Sequence, residues 1–546
     1  MASFSRSTVP FDLATSGKGP ARGKSRSNTF NSSNSIPGKS TSTDKSTSIV
    51  AIAEGSGASK GTVGLAIMDL RQADIELSEF MDSPTFSRLK IKLLVADPVE
   101  IIVAENFYEK TRNAVMTEMI RSSIPNVVIT NVHKRFFNRA RGAELVTQLA
   151  NAEISNCDRA VLKKEFCMQS CSALIKYVEH VQDIVFASKT LHFVYRDVEK
   201  TYDRSWKNLE IDGSGSNKEV KTLLTVVDDT VTSGGARLLR SQLLQPSGDQ
   251  AIIERRLDAV QELVENPHLV EKLRHVLGSA SDLDNLFNIF VGNSREPTVQ
   301  SADFNLTQLL RLKQVFSIVD PLRQLMRNFS SRLLKEKTEL LNDDRIGMIR
   351  EFLYERLQSD TTFSKRKSSL NVRYRKCYAI KEGVSVNLDV ARRAYEELLQ
   401  DVRTQEMELA QYLPEKNTRM AFSASRGFHY LWVCSHPTTV SLPPIFINVT
   451  RNRTSVTFTS RNLLRYNDRI DQSISEIMIA TDVVVQYVIT NVRPLIAALY
   501  HIMDAIATTD VLCSFAVYSS SRETGESCRV VMPFIHAALA LPKSGA

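Results

Sequence analysis

From Ile470 to residue 507 the chain keeps a helical repeat in which Ile470, Ile474, Ile477, Thr481, Val484 and Val488 share one face. At about 1.5 Å per residue such a helix runs past roughly 50 Å, with a kink expected at Pro494. A compact helical domain does not hold a rod of that length, so the rod is expected to bridge two bodies. The alternative is a helix broken at Pro494 inside one bundle. No run of about 18 uninterrupted apolar residues exists, so no membrane span is expected.

The rest of the chain divides around this rod. With 546 residues, 42% hydrophobic and 24% charged, it is long enough for several domains, each with its own core. Residues 1–47 hold seven Lys/Arg against two Asp and few aliphatic side chains, which predicts a disordered basic Ser/Thr-rich tail. The formal charge of +8 suits a polyanionic partner. Seven scattered cysteines without metal-ligand spacing fit a reducing compartment better than a disulfide framework or a zinc site, although Cys167 and Cys171 can share a helix face.

Residues 48–139 read as an α/β domain. Strands are expected at Ser48–Ala53, Gly61–Asp69, Asp74–Phe80, Ile101–Ala104 and Asn126–Thr130, with helices at Leu89–Ala96 and Asn113–Arg121. Residues 140–206 look helical. Residues 220–358 show sustained helical periodicity, with breaks expected at Pro246, Pro267, Gly278, Gly292 and Pro321. Strands return over Ser368–Lys381, Ala421–Val433, Ile445–Thr450 and Ser455–Thr459, the last two joined by an Arg451–Thr454 hairpin. Between the first two lies a helix with a narrow seam of Leu388, Ala391, Tyr395, Leu398 and Val402.

Two ordered stretches carry a resemblance. They are Thr222-Leu-Leu-Thr-Val-Val-Asp-Asp-Thr-Val-Thr-Ser-Gly-Gly-Ala-Arg-Leu-Leu-Arg-Ser-Gln-Leu-Leu-Gln-Pro246 and Ile253-Glu-Arg-Arg-Leu-Asp-Ala-Val-Gln-Glu-Leu-Val264. Together they resemble the core-domain signature of the MutS family of DNA-clamping proteins. Further stretches look like the meiotic branch of that family: Ile75-Glu-Leu-Ser-Glu-Phe80, Pro98-Val-Glu-Ile-Ile102, Leu174-Ile-Lys-Tyr-Val-Glu179, Leu370-Asn-Val-Arg-Tyr-Arg-Lys-Cys-Tyr-Ala-Ile380, Leu388-Asp-Val-Ala-Arg-Arg-Ala-Tyr395 and Phe422-Ser-Ala-Ser-Arg-Gly-Phe428. The resemblance implies a multidomain fold, α/β plus mainly α. Its parts are an RNase H-like connector over 48–139, a helical core and first lever over 140–358, and an inserted β-rich clamp over 359–469. A returning lever follows over 470–519, then a divergent tail over 520–546. The family's C-terminal P-loop ATPase is not expected in this chain.

Tests for chemistry come out thin. Gly19-Pro-Ala-Arg-Gly-Lys-Ser25 is one residue short of a phosphate-binding loop and follows no strand. Gly55-Ser-Gly-Ala-Ser-Lys-Gly-Thr62 has its Lys before the Gly and reads as a turn. No catalytic residue, metal site or bound cofactor is therefore expected, ATP and Mg being properties of the full-length family. Glu54 and Asp69 look like neighbours at adjacent strand ends, but no full set of carboxylates for a metal-dependent nuclease assembles around them. Phe107-Tyr-Glu109 fits the family's mismatch-reading pattern but lies in the connector region. Ser233-Gly-Gly-Ala236 reads as a tight turn opening a helix.

The strongest candidates are basic. Lys365, Lys367, Arg373, Arg375 and Lys376 cluster at the clamp entrance, Arg451 and Arg453 crown its hairpin, and Arg461, Arg465 and Arg469 lead out of it. The two groups are expected to meet and to contact DNA phosphates without reading sequence. The resemblance implies a nuclear, chromosome-bound protein that embraces branched or Holliday-junction DNA with the fifth MutS homologue and promotes crossing over. Two alternatives stand: a fragment of a mismatch-repair ATPase, and a non-enzymatic helical scaffold.

Overall fold

The computed structural model describes residues 47–71, 73–105, 111–197, 222–280, 286–294, 298–358, 375–410, 412, 418–423, 425–433 and 442–520. The basic tail, Phe107-Tyr-Glu109 and the divergent tail after Ser520 lie outside these residues, as do Lys365, Lys367 and Arg373.

The first body is built on β1 (Ser48–Glu54), β2 (Thr62–Asp69), β3 (Asp74–Met81), α1 (Ser87–Ala96), β4 (Glu100–Ala104), α2 (Thr111–Ser123), β5 (Val128–Val132), α3 (Arg139–Leu149), α4 (Glu165–Val181), β6 (Ile184–Phe186) and β7 (His192–Tyr195). Its six-stranded sheet has the order β5-β4-β1-β2-β3-β7. The β1-β2-β3 meander is antiparallel, whereas β4, β5 and β7 join in parallel. Successive side chains of a strand face opposite sides, so β1 serves two cores. Val50 and Ile52 pack with Leu89, Leu93, Met116 and Ile120 of α1 and α2. Ile49 and Ala51 join the main core with Cys171 and Leu174 of α4.

Residues 140–206, expected to be helical, hold two strands. The run His192-Phe-Val-Tyr195 alternates as a strand does and closes the sheet beside β3. The expected strand over Asn126–Thr130 sits two residues later.

The second body continues with α5 (Leu223–Val227), α6 (Ser233–Leu244), α7 (Gln250–Glu265), α8 (Pro267–Gly278), α9 (Asn288–Val291), β8 (Gly292–Ser294), α10 (Val299–Met326), α11 (Arg332–Leu340) and α12 (Asp344–Arg356). Pro321, expected to break a helix, lies inside α10. The buried face of α10, from Leu306 through Phe316 to Leu322, outweighs the roughly 3 kcal/mol that an interior proline costs. Beyond it come α13 (Val386–Ala410), β9 (Thr418–Ser423), β10 (Gly427–Val433), β11 (Phe446–Arg451), β12 (Ser455–Ser460), α14 (Arg461–Val492) and α15 (Ile496–Ser520).

The expected long helix starts nine residues before Ile470, because Leu463, Asn467 and Ile470 already keep its buried face. Its 32 residues span about 48 Å. At Pro494 a 3-10 turn over Arg493–Leu495 hands it on to α15. One end is fixed in the core, where Arg493 Nε donates to Phe290 O at 2.7 Å. The other begins directly from β12.

α13 runs antiparallel to α14, with Leu388, Tyr395, Leu398 and Val402 buried along it. Near its start Arg392 donates to Cys377 O at 2.8 Å and Ile380 O at 2.9 Å, at the base. Near its end Glu406 accepts from Met420 N at 3.3 Å, at the β9–β12 sheet. The sheet thus sits at the outer end of the paired rods, not within the helical body. A window of the 60-residue stretch Arg461–Ser520 is apolar enough to cross a membrane, but 61% of it is buried among its neighbours, as a core helix is.

Candidate nucleic-acid interface

The tip sheet is four-stranded, in the order β11-β12-β10-β9. The stretch 421–433, expected as one strand, is two: β9 and β10 turn at Arg426–Gly427, where Gly427 adopts φ +67. On the inner face Tyr430, Phe446 and Phe458 pack ring to ring, with centroids 4.8–5.9 Å apart. Met420, Phe422 and Trp432 extend this apolar layer. By alternation Arg419 and His429 take the opposite face.

The outer surface is strongly cationic. Across 418–469 the charged residues are Arg419, Arg426, Arg451, Arg453, Arg461, Arg465, Arg469 and a single acid, Asp468. All seven arginines are exposed. Arg426 donates to Thr457 Oγ1 at 2.6 Å and Thr450 Oγ1 at 3.1 Å, which fixes its guanidinium over β11 and β12. The Arg451–Arg453 turn is closed by Asn452 N donating to Ser455 O at 2.8 Å. Arg461, Arg465 and Arg469 recur every fourth residue along the outer side of α14. Among the described residues no ion pair ties Arg453, Arg461, Arg465 or Arg469 to a carboxylate. Cations in the first turn of a helix oppose its dipole by about 0.3–1 kcal/mol each, a cost that a bound phosphate removes.

Of the first basic segment only Arg375 and Lys376 lie among the described residues, and these two do not meet the tip arginines. Arg375 and Lys376 form a short helical turn at the base of the rods, where Lys376 pairs with Asp303 of α10. Gln358 N donates to Ala379 O at 2.9 Å, and Lys381 N to Arg356 O at 2.8 Å. These bonds hold residues 376–381 against the end of α12, so this part of the expected Ser368–Lys381 strand is absent. The 25-residue α13, about 37 Å long, separates Arg375 and Lys376 from Arg451 and Arg453. Arg419 and Arg426 were missed by sequence reading; the alternation Arg419-Met-Ala-Phe422 was the available signal for the first.

Other chemistries find little support. Glu54 and Asp69 are not neighbours. Ser48 pairs with Asp69 and Glu54 with Val63, which puts the two carboxylates at opposite ends of a hairpin, about 20 Å apart. Cys167 and Cys171 are buried in α4, and burial pushes both thiols up, away from the thiolate a metal needs. Glu153, Asp343 and His501 converge within 4.8 Å, but the Arg345 guanidinium already bridges the two carboxylates. Its hydrogen bonds hold both Glu153 and Asp343 below their ordinary values.

A helical body, an α/β body packed on it and a β-rich unit carried on paired helices define a multidomain clamp-like protein. The sequence matches MutS domain II over residues 47–190 and MutS domain III over residues 204–516. It is 34% identical to MutS protein homolog him-14 of Caenorhabditis elegans, over 87% of this chain and 58% of that protein. It is 33% identical to MutS protein homolog 4 of Mus musculus, over 86% of this chain and 49% of that protein. To the DNA mismatch repair protein MSH4 of Arabidopsis thaliana it is 24% identical, over 83% of this chain and 60% of that protein. The chain belongs to the MutS family. It spans about half the length of the curated relatives it matches.

Proposed function

We propose that this chain is the connector, core and clamp portion of a MutS-type protein of meiotic recombination, and that it grips branched duplex DNA by charge. The observation that carries this reading is the tip: seven exposed arginines against one aspartate, on a sheet and the adjoining turns of α14, held out by rods of about 37 and 48 Å. Such a surface neutralises phosphates and releases counterions without selecting sequence. The strand order β3-β2-β1-β4-β5 supports an RNase H-like connector. Relatives named MutS protein homolog 4 support the meiotic assignment, and the proposal extends to a nuclear site of action and to the fifth MutS homologue as the partner that completes the embrace.

On this reading the two matched regions, domains II and III, serve DNA contact and its mechanical coupling.

The test is binding of a four-way junction between about 50 and 200 mM salt. Each phosphate contact contributes about 0.9 to the slope of log K against log salt, so Arg451→Ala/Arg453→Ala is expected to lower it by up to about 1.8. Added ATP is expected to leave the affinity unchanged. A salt-independent affinity, or ATP-dependent release of the junction, overturns the reading.

A further inference from the structure

The first body carries a second cationic surface, far along the chain from the tip. Between His133 and Arg141 lie Lys134, Arg135 and Arg139, and no acid occurs from 133 to 143. His133, Lys134, Arg135, Arg139 and Arg141 are all exposed. The segment leaves the end of β5 through a 3-10 turn at Lys134–Phe136 and enters α3 at Arg139.

Local structure fixes these cations in place. Arg135 N donates to His133 Nδ1 at 3.2 Å, which ties the imidazole to the turn. The Arg135 guanidinium stacks 5.0 Å from the centre of the Phe136 ring. Asn138 caps α3, accepting from Arg141 N at 3.0 Å. Phe136 and Phe137 are spent on the core behind the turn. Among the described residues, only Arg141 of these cations is paired with a carboxylate, Glu144 at 2.7 Å. A second loop adds exposed Arg159 and Lys163, and its turn Val161–Lys163 packs on α3.

Arg139 and Arg141 occupy the first turn of α3, where a helix dipole disfavours cations. Phe136 and Phe137 are half-buried against the core, so what this surface chiefly offers is charge. A phosphate backbone is held by spaced cations and needs no pockets. The geometry points to a second phosphate-binding face, centred on Lys134, Arg135 and Arg139, that contacts double-stranded DNA independently of the arginine tip.

The test uses the full chain with Lys134→Ala/Arg135→Ala/Arg139→Ala, all exposed positions, with the fold checked by circular dichroism. Probes are a four-way junction, and a short acidic peptide as competitor. Three lost contacts are expected to lower the salt slope by up to about 2.7 and to weaken junction binding tenfold or more at fixed salt. The same loss is expected in the Arg451→Ala/Arg453→Ala background, which separates this face from the tip. A photo-reactive phosphate analogue in the junction is expected to crosslink residues 133–141. Unchanged affinity and slope in the triple variant overturn the proposal and leave the tip reading standing. Loss of peptide binding with unchanged DNA binding also overturns it, in favour of a protein partner. Loss in the triple variant with no loss in the tip variant upholds this face and sinks the tip.

Discussion

Asn467, on the second turn of α14, holds both backbone groups of Phe428 on β10: its Oδ1 accepts from Phe428 N at 2.8 Å and its Nδ2 donates to Phe428 O at 2.9 Å. This one side chain ties the sheet to the rod that carries it. Gly427 is required beside it, since a Cβ there would lie 2.6 Å from Asn467 Cγ on a backbone at φ +67. Asn467→Ala strands a buried donor and acceptor, each costing about 1–3 kcal/mol. Amide exchange of residues 427–433 is expected to speed up by tenfold or more, with α15 unaffected. Unchanged exchange in the sheet would show that the apolar layer alone sets the tip.

The signature turn is held from α15. Asp510 accepts from Val231 N at 3.0 Å, Thr232 N at 2.8 Å and Thr232 Oγ1 at 2.6 Å. A Cβ at Gly235 would fall 2.2 Å from Asp510 Oδ2, so the glycine at this helix start serves close approach. Burial pushes the Asp510 carboxyl up, against the pull of these donors. Removing the charge is nevertheless expected to harm. Asp510→Asn turns an amide NH₂ toward N–H groups and leaves a buried donor unmatched, at about 1–3 kcal/mol. Urea unfolding measures this; an asparagine variant as stable as the parent would mean the turn is set by packing.

How much of this was legible in the sequence depended on how local the cause was. Thr222 and Thr232 cap α5 and α6 through their own neighbours, so the signature could be read as helix starts. The three strands over 48–81 followed from a continuous apolar run, a Gly/Ser/Lys turn and the alternation of Asp74–Phe80. Residues 376–381 could not be read, because their shape comes from Arg392 and the end of α12, both distant or later in the chain. The same return to the base carried Arg375 and Lys376 away from the arginines they were expected to join. Residues 461–469 were assigned to the clamp because the helical repeat was read only from Ile470, although Leu463, Asn467 and Ile470 already had helical spacing. The separation of Glu54 from Asp69 was available in principle, since an antiparallel partner places a strand's end opposite the other's start.

The first body holds a buried ion pair whose lysine also reaches the second body. Lys92 of α1 is 1% exposed and donates to Glu76 Oε1 at 2.8 Å, with Gln245 Oε1 at 3.5 Å across the interface. Leaving an ammonium buried without its carboxylate costs more than removing both partners. Glu76→Ala is therefore expected to destabilise by about 1–3 kcal/mol, and Lys92→Met by less than about 1 kcal/mol. Thermal unfolding of the two variants checks the order, and a reversed order would assign the pair a packing role.

Two further pairs predict opposite pH windows. Burial pushes the His192 imidazole down, but Asp74, 3.1 Å away, more than compensates, and its pKa lies above the ordinary 6.5. A raised folded pKa gives stability that is full below about 6.5 and fades as pH climbs through the folded value. The main-chain carbonyl of Ile154 and the Asp504 carboxylate reinforce this shift from neighbouring segments. Arg345 instead holds Glu153 and Asp343 below their ordinary 4.5 and 3.8. That contribution is full above those values and is lost as pH falls through the lowered ones. The stability lost in Asp74→Asn is expected to be greater at pH 6 than at pH 9. For Arg345→Met the loss is expected to be constant above about pH 5 and to shrink toward pH 3. Melting temperatures of parent and variants across this range test both signs. A loss in Asp74→Asn that grows with rising pH would mean that His192 is neutral in the fold and that Asp74 acts as a plain acceptor.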